Sequence, residues 1–264
     1  MQDLNITLVQ SDLVWENKAE NLSRFALKIR NINSKSDLII LPEMFNTAFS
    51  MKPELLAEEP FGETHQWMKN LSQEVNIAIV GSFMVSEHGN FYNRLIVMHP
   101  NGEYQQYDKR HLFRMAGEHE HYTPGSESLI FEFKGWKIKT LICYDLRFPV
   151  YAKNNYNHGK YDYDALIFVA NWPTVRNHIW VKLLVARALE NQAYVIGVNR
   201  VGNDINGFSH SGSSCIINPE GDYIIAPIDH IETEETASIS LTALQEFRKR
   251  FTLGLDWDHF ELVD

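Results

Sequence analysis

Two unbroken apolar runs constrain the fold of this chain more than any other feature of its sequence. They are residues 37–42 (DLIILP) and residues 164–170 (DALIFVA). A run without alternating polar positions is typical of a strand that is buried on both faces, as in the sheets of α/β proteins. The first run is followed by Glu43 and the second by Asn171 and Trp172, so both predicted strands end in polar or functional side chains.

Helical and hairpin patterns lie between and around these two runs. One apolar helix face is predicted from residues at i, i+3, i+4 and i+7, namely Leu22, Phe25, Ala26 and Ile29. The turn sequences Asn101-Gly102 and Asn218-Pro219-Glu220-Gly221 lie between apolar segments and predict hairpins. A simple parallel doubly wound sheet would not contain such hairpins. Two mixed sheets covered by helices, an α/β sandwich, fit this order better.

The remaining elements are predicted from periodicity and turn residues. Further strands are predicted at residues 5–9, 77–83, 93–99, 129–133, 136–143, 194–199, 213–217 and 223–225. Further helices are predicted from the apolar pattern of residues 67–75 and at residues 177–192 and 242–250. Residues 154–162 (NNYNHGKYD) are predicted to form an exposed loop.

Length, charge and cysteine content bound the function classes. A chain of 264 residues can bury one sizeable core, so we expect residues 1–264 to form a single domain. The formal charge is −10 at pH 7 and the basic residues are scattered, so we expect no nucleic-acid partner. We find no signal-peptide pattern and no membrane-spanning apolar run, and two cysteines fit a reducing compartment; a cytoplasmic location is expected.

Cys143 lies where the predicted strand at residues 136–143 changes into a polar, charged segment. It is predicted to be the last strand residue, a position where functional residues often occur. A thiol attacks as thiolate, so this interpretation requires a base nearby and a cation or backbone amides for the oxyanion. The alternative is a buried cysteine that acts as a small apolar residue, which is the commoner case for a single cysteine.

Glu43 and Lys109 could supply the missing groups. A carboxylate directly behind a buried strand is partly removed from water, which makes Glu43 a candidate base. The polar segment at residues 108–121 contains Lys109, Glu118 and Glu120. A carboxylate, an ammonium and a thiol are therefore predicted to meet at one sheet edge, with Lys109 as the candidate oxyanion stabiliser.

Three motifs in this order resemble those of the carbon–nitrogen hydrolase, or nitrilase, superfamily. They are LPEMF with Glu43, YDKRHLF with Lys109 and LICYDLRFP with Cys143. The resemblance covers nearly the whole chain, and each motif is weak by itself. It implies a four-layer αββα sandwich of the nitrilase type with two mixed β-sheets, which commonly pairs into a homodimer.

The resemblance also implies the roles of the site residues. Glu43 would be the general base, Lys109 the oxyanion stabiliser and Cys143 the nucleophile that forms a thioester with an amide carbonyl. The Tyr144 backbone N–H would share the oxyanion with Lys109. The family has a second glutamate a few residues before a Pro-Gly turn, which points to Glu118, with Glu120 as the alternative.

The sequence gives little support for a metal site or a nucleotide site. His119 and His121 would lie on one face of a strand, with His111 nearby, but the glutamate, lysine and cysteine set requires no metal. No metal and no cofactor are therefore expected, and no glycine-rich nucleotide motif occurs. Cys215 is interpreted as a core residue. Asp145 is interpreted as an anchor of the turn after the nucleophile, through Arg147.

Within the superfamily, the strings DKRHLFRMA, CYDLRFPVY and ANWP most resemble the omega-amidase branch, which includes bacterial 2-oxoglutaramate amidase. Such enzymes hydrolyse the terminal amide of 2-oxoglutaramate or 2-oxosuccinamate to a dicarboxylate and ammonia. A small amide substrate that carries a carboxylate requires a cation in the pocket. The candidates are Arg114, Arg147 and Arg176, each with a surface or interface ion pair as the alternative. Trp172 would wall the pocket or belong to the core.

Other functions on the same fold stay open from the sequence. The substrate could instead be deaminated glutathione, an N-carbamoyl amino acid or a nitrile. A non-catalytic binding or scaffold protein is a further alternative, and the presence of Glu43, Lys109 and Cys143 argues against it.

Overall fold

The computed structural model describes residues 3–32 and 35–262, and two six-stranded sheets dominate it. The first sheet is formed by β1 (Leu4–Gln10), β2 (Leu38–Ile40), β3 (Ala78–Glu87), β4 (Asn90–Met98), β5 (Tyr104–Asp108) and β16 (Thr233–Ile239). The second sheet is formed by β6 (Ile130–Phe133), β7 (Trp136–Ile142), β10 (Ala165–Ala170), β11 (Tyr194–Asn199), β14 (Cys215–Ile217) and β15 (Tyr223–Ile225). The strand order is β16-β1-β2-β3-β4-β5 in the first sheet and β15-β14-β11-β10-β7-β6 in the second.

Short hairpins and seven α-helices complete the described elements. The hairpins pair β8 (Tyr156–Asn157) with β9 (Lys160–Tyr161) and β12 (Val201–Asn203) with β13 (Ser209–Ser211). The helices are α1 (Lys18–Asn31), α2 (Pro53–Leu56), α3 (Glu63–Val75), α4 (Glu118–His121), α5 (Pro149–Ala152), α6 (Asn177–Asn191) and α7 (Leu241–Arg250).

Both sheets are mixed, as the combination of buried runs and hairpin turns predicted. In the first sheet β1, β2 and β3 are parallel, whereas β16, β4 and β5 pair antiparallel to their neighbours. In the second sheet β7, β10 and β11 are parallel and the outer pairings are antiparallel. Parallel strands end at the same edge of a sheet, so the residues after β7 and β10 are brought together.

The order of layers follows from which side chains are buried together. Apolar residues of both sheets share one core cluster, so the inner faces of the sheets pack on each other. The outer face of the first sheet packs against α1 and α3. On the second sheet α6 lies so close to β11 that a Cβ at Gly197 would come within 2.5 Å of Leu184 Cδ1. The result is the predicted four-layer αββα sandwich with two mixed sheets.

Local signals placed α1 correctly. The Asn17 side chain accepts a hydrogen bond from the backbone N–H of Glu20 at 3.1 Å, which caps the start of the helix. The apolar face predicted for this helix is buried against the first sheet. Hydrophobic periodicity and the cap therefore identify the same helix.

Several features differ from the prediction, including β5 and the short helices α2, α4 and α5, which were not predicted. β16 was missed because its burial alternates with mostly polar side chains, as expected for an edge strand with one solvated face. The β12–β13 hairpin was also missed. The predicted exposed loop at residues 154–162 contains the β8–β9 hairpin, and its first residue, Asn154, is buried because its side chain and backbone bond to Asn191 and Tyr163.

The prediction of one domain includes residues 1–2, 33–34 and 263–264, which lie outside the described residues. Within the described residues, we find no helix with the length and apolar character that a bilayer crossing requires.

Candidate active site

Four strand ends meet at the site, and each contributes a polar residue. Glu43 follows β2, Lys109 follows β5, Cys143 follows β7 and Asn171 follows β10. Hydrogen bonds join Glu43 to both Lys109 and Asn171. Strands from both sheets therefore build one cluster. The sequence predicted that these groups meet at one sheet edge, but not that two sheets contribute them or that a strand precedes Lys109.

Cys143 occupies a strained turn. The strand β7 ends at Ile142, one residue earlier than predicted, and Cys143 begins a 3-10 helix, Cys143–Arg147. Its φ of 44° lies in the left-handed region, which is uncommon for residues other than glycine and is often found at functional sites. The turn is fixed by Asp145, whose Oδ2 accepts the backbone N–H of Ile142 at 3.0 Å.

Glu43 is fully buried and its carboxylate is held by three donors. Oε1 accepts hydrogen bonds from Lys109 Nζ at 2.9 Å and from Asn93 Nδ2 at 2.8 Å. Oε2 accepts the backbone N–H of Asn171 at 2.8 Å. Asn93 was missed in the sequence because it lies inside a strand pattern, where its side chain carries no distinguishing signal.

Lys109 lies between two carboxylates. Its Nζ is 2.9 Å from both oxygens of Glu118 as well as 2.9 Å from Glu43. Glu118 also accepts the backbone N–H of Phe113 at 2.5 Å. Glu120 is exposed, so of the two candidate glutamates the structure brings only Glu118 to Lys109.

The charges around the cluster set its protonation states. Burial lowers the pKa of Lys109, but the carboxylates of Glu118 and Glu43 outweigh it, so the pKa rises and the ammonium persists. Burial raises the pKa of Glu118, and Glu43 adds to this rise while Lys109 opposes it. Burial, the charge of Glu43 and a hydrogen bond to its carboxylate raise the pKa of Cys143 well above that of a free thiol, although Lys109 acts in the opposite direction. Cys143 is therefore a protonated thiol at neutral pH and needs a base.

A cavity of about 450 Å³ opens onto the sulfur. Cys143, Lys109, Tyr144 and Asn171 line it, and aromatic and other apolar side chains supply much of the wall. The remaining lining residues are Phe49, Met51, Phe113, Met115, Ala116, Arg147, Trp172, Pro173, Arg176, Asp204, Asn206, Phe208 and His210. Several lining residues gave no sequence signal, because residues far apart in the chain converge only after folding. These are Phe49, Met51, Asp204, Asn206, Phe208 and His210.

Two of the three predicted arginines face this cavity. The guanidinium of Arg147 lies 5.2 Å from the ring centroid of Trp172, and that of Arg176 lies 5.2 Å from Phe113. Among the described residues neither has a carboxylate partner within 4.0 Å. Burial and the positive charge of Arg147 lower the pKa of Arg176. Two cations in one cavity, neither ion-paired within the described residues, favour an anionic ligand; Asp204 is the one carboxylate among the described lining residues.

Arg114 lies outside the cavity. It is exposed at the start of the 3-10 turn Arg114–Ala116 and is not among the lining residues, so the structure does not bring it to the other candidate residues. Trp172 is 3% exposed, lines the cavity and also packs on Trp180, so both interpretations of this residue hold.

Asp145 is an anchor, but Arg147 is not its partner. Its carboxylate accepts hydrogen bonds from Tyr107 Oη at 2.7 Å, His111 N at 3.0 Å and His111 Nδ1 at 2.7 Å, in addition to Ile142. Arg147 instead points toward Trp172, because the 3-10 turn directs successive side chains to different sides.

The histidines considered for a metal site are separated. The His111 ring stacks on Phe148 at 3.7 Å and bonds to Asp145. His119 and His121 are exposed on α4, where residues two apart do not share a face, unlike the strand geometry considered for them. Within residues 3–32 and 35–262 no group of three or more His, Cys, Asp or Glu side chains is placed to hold a metal ion.

Comparison with known families assigns the chain to a family. The sequence model of the carbon-nitrogen hydrolase family matches residues 5–249, most of the chain. The chain belongs to the carbon-nitrogen hydrolase family. It is therefore an enzyme, a hydrolase that acts on carbon–nitrogen bonds.

Named relatives of this hydrolase act on amides. It is 43% identical over 264 residues to the omega-amidase YafV of Escherichia coli (strain K12), covering 99% of this chain and 100% of the relative. It is 33% identical over 220 residues to the 2-oxoglutaramate amidase of Bacillus subtilis (strain 168), covering 82% of this chain and 83% of the relative. The resemblance to the omega-amidase branch is confirmed.

A solved structure has the same fold over its full length. The carbon-nitrogen hydrolase superfamily protein XC1258 from Xanthomonas campestris superposes with a TM-score of 0.97 at 41% identity, and the match covers 100% of both chains. Its crystal structure carries an arsenic adduct in the active site. The fold of this hydrolase is thus that of the nitrilase superfamily.

Proposed function

We propose that this hydrolase is an omega-amidase that cleaves the terminal amide of small 2-oxo acids, such as 2-oxoglutaramate and 2-oxosuccinamate, through a Cys143 thioester. The observation that carries the proposal is the composition of one cavity. Cys143 and Lys109 line it together with Arg147 and Arg176, which have no carboxylate partner within 4.0 Å among the described residues. A thiol and two such cations in one cavity suit an amide that carries a carboxylate.

The first step is attack on the amide carbonyl. Both acceptor positions of Glu43 Oε1 are taken by Lys109 and Asn93, whereas Oε2 accepts only the Asn171 N–H. Oε2 is therefore the atom that takes the thiol proton of Cys143 while its sulfur bonds to the carbonyl carbon. General-base transfer of this kind contributes about 10²- to 10⁴-fold to a rate.

The oxyanion is stabilised by two donors. Lys109 stays an ammonium because Glu118 and Glu43 raise its pKa. It lines the cavity together with Cys143. The backbone N–H of Tyr144, on the turn after the nucleophile, is the second donor. Preorganised donors at the place where negative charge develops are usually the largest contribution to catalysis. Glu118 is assigned to hold Lys109, with which it shares two 2.9 Å contacts.

Collapse of the tetrahedral intermediate releases ammonia. The C–N bond breaks as Glu43 returns its proton to the leaving nitrogen, which departs as neutral ammonia and leaves the thioester. Glu43 then takes a proton from a water molecule, whose oxygen attacks the thioester carbonyl. The C–S bond breaks, Cys143 recovers the proton, and the acid leaves as a dicarboxylate.

Arg147 and Arg176 are assigned to the substrate carboxylate. Both are held over aromatic rings, Trp172 and Phe113, which fix their planes without using their hydrogen-bond donors. The repulsion between the two cations is relieved when a carboxylate binds between them. No cofactor or metal takes part in this scheme.

The decisive experiment is hydrolysis of a panel of compounds, measured as ammonia release and, for deaminated glutathione, as release of cysteinylglycine. The panel contains 2-oxoglutaramate, 2-oxosuccinamate, glutamine, asparagine, deaminated glutathione, an N-carbamoyl amino acid and a nitrile. We expect kcat/KM to be highest for the two oxo-amides. A preference for glutamine or for one of the last three compounds would replace the substrate assignment.

We also propose a homodimeric, cytoplasmic, single-domain enzyme. Apolar side chains are exposed on α6, just before it and on α5: Leu189 at 46%, Val175 at 68% and Val150 at 51%. Exposed apolar side chains fit an interface between two copies. Both cysteines are free, which suits a reducing cytoplasm, and the shared core of the two sheets supports one domain. Sedimentation analysis tests the dimer; a monomer at micromolar concentration would contradict it.

A further inference from the structure

Asp145 is a buried charge that the proposed reaction does not use. It is 0% exposed and does not line the cavity. Its two oxygens accept four hydrogen bonds, two each. Oδ2 bonds to Ile142 N and Tyr107 Oη, and Oδ1 bonds to the backbone N and the ring Nδ1 of His111. Such complete satisfaction marks a rigid point, because hydrogen bonds to a buried charge are strong.

The partners of Asp145 surround the catalytic residues in the sequence. Ile142 directly precedes Cys143 at the end of β7 in the second sheet. Tyr107 and His111 stand two residues before and two residues after Lys109, at the exit of β5 in the first sheet. The Asp145 carboxylate thus joins the turn that carries the nucleophile to the turn that carries the ammonium.

Two further contacts reinforce this junction. The His111 ring stacks on Phe148, which follows the Cys143 turn, with centroids 3.7 Å apart and planes at 7°. Tyr107 Oη also accepts the backbone N–H of Arg110 at 3.2 Å, which fixes the bend just after Lys109. The two turns therefore have little freedom to move relative to each other.

We propose that Asp145 is a positioning residue: through Tyr107 and His111 it holds the Lys109 turn against the Cys143 turn, so that Lys109 Nζ meets the oxyanion when the sulfur attacks. The proposal rests on the proposed function. A misplacement of about 1 Å in a catalytic group costs on the order of 100-fold in rate. Because these three residues do not line the cavity, their loss should lower kcat and leave KM nearly unchanged.

The sharpest test compares two buried tyrosines. Tyr107 and Tyr163 are 2% and 0% exposed, and each hydroxyl donates one hydrogen bond, Tyr163 to Ala152 O at 2.6 Å. Both Tyr107→Phe and Tyr163→Phe therefore remove a buried hydroxyl and the hydrogen bond that it donates; Tyr107→Phe also removes the acceptor of the Arg110 N–H. We expect Tyr107→Phe to lower kcat about tenfold with KM within about twofold, and Tyr163→Phe to keep kcat within about twofold. Equal kcat values in the two variants would overturn the proposal.

Two other variants extend the test to the second half of the junction. His111→Phe keeps an aromatic ring over Phe148 but removes the Nδ1 bond, and we expect it to lower kcat about tenfold as well. Asp145→Asn places amide hydrogens where four donors converge, and we expect a loss of about 100-fold or more in kcat. If Asp145→Asn fails to fold, Tyr107→Phe and His111→Phe still decide the question.

Failure of this inference is distinguishable from failure of the proposed function. If Cys143→Ala is inactive while Tyr107→Phe and His111→Phe behave like Tyr163→Phe, only the positioning role is wrong. If Cys143→Ala stays active, the thioester scheme itself is wrong. Alkylation by iodoacetamide supplies an independent readout: loss of the fixed position of Lys109 should change the rate at which Cys143 reacts at a given pH, and Tyr163→Phe should not change it.

Discussion

Cys143 directly follows β7 and Cys215 begins β14, and both strands belong to the second sheet. The two thiols nevertheless have different neighbours. Cys215 is 0% exposed, and burial alone raises its pKa to about 12. Cys143 faces a cavity, with the charges of Glu43 and Lys109 beside it. Burial raises both pKa values, but only Cys143 has a carboxylate that can accept its proton. In the proposed mechanism, a neighbouring base and a neighbouring cation distinguish the nucleophilic thiol from the inert one, and exposure does not.

The two lysines Lys109 and Lys139 repeat this contrast with the opposite charge. Lys109 is buried against two carboxylates, which keep its pKa above the ordinary value despite burial. Lys139 has a backbone carbonyl, Tyr151 O at 2.6 Å, and two tyrosine rings as neighbours, and burial lowers its pKa to about 8. In both pairs, the proposed mechanism gives the catalytic role to the group that has a charged partner, Cys143 beside Glu43 and Lys109 beside Glu43 and Glu118.

The largest expected effect separates the two thiols directly. Cys143→Ala removes the nucleophile, so amidase activity should fall by about 10³-fold or more. Cys215→Ala should retain kcat within about twofold and lose about 1 kcal/mol of stability, because it removes a buried sulfur remote from the cavity. Ammonia release and urea unfolding measure the two outcomes. An active Cys143→Ala enzyme would remove the distinction on which the scheme rests.

The next effect tests the base. Glu43→Gln keeps the shape of the side chain but cannot take the thiol proton, so kcat should fall by about 10²- to 10⁴-fold. The measurement is kcat for the best amide of the panel over a range of pH.

A second buried carboxylate offers a matched control for Glu43. Glu58 is 7% exposed and accepts the backbone N–H of Thr64 at 2.6 Å at the start of α3. It does not line the cavity and has no role in the proposed reaction. Glu58→Gln should lower stability and leave kcat within about twofold. Equal losses of kcat in Glu43→Gln and Glu58→Gln would mean that packing, and not proton transfer, explains the effect.

A smaller effect tests the cations on the cavity wall. Arg147→Met and Arg176→Met should each raise KM for a 2-oxo acid amide about 10- to 100-fold, because a charge-assisted contact to the substrate carboxylate is lost. Arg114→Met is the control, since Arg114 is exposed outside the cavity. Steady-state kinetics of the three variants decide the assignment; a change in KM only for Arg114→Met would reverse it.

The last effect concerns the free energy of unfolding and Lys139, whose hydrogen-bond partner is a backbone carbonyl. Folded Lys139 loses its proton near pH 8, whereas an unfolded lysine keeps it to about pH 10.5, so the unfolded state binds more protons between these values. Stability of the wild-type protein should therefore rise with pH in this window relative to Lys139→Met, by roughly 3 kcal/mol at most. Urea unfolding of both proteins from pH 7 to pH 10 measures the difference. A difference independent of pH would contradict the assigned role of burial.

Much of the architecture could be predicted because local patterns and packing agree. The runs at residues 37–42 and 164–170 became the buried strands β2 and β10, and the amphipathic pattern near Phe25 became α1. β16 escaped because an edge strand with one solvated face has few apolar residues. Its pairing with β1 depends on contacts more than 200 residues apart in the chain, which no local window contains.

The candidate site was predictable where chemistry is tied to a strand exit. Glu43 and Cys143 could be named because they lie at the ends of predicted strands, and Lys109 because it lies in the polar segment between them; the three motifs together supported all three residues. The choice between Glu118 and Glu120 required the fold, because only one of them turns inward from α4. Arg114 was chosen for its charge, and only the fold places it outside the cavity.

The layered α/β class, the family and the candidates Glu43, Lys109 and Cys143 could all be read from the sequence, because apolar periodicity and short motifs are local properties of the chain. The tertiary structure decided which atoms meet: Glu43 with Asn93, Lys109 with Glu118, and Asp145 with Tyr107 and His111 in place of Arg147. These partners come from different strands, and their distances are set by how two sheets pack. Local patterns cannot specify that geometry.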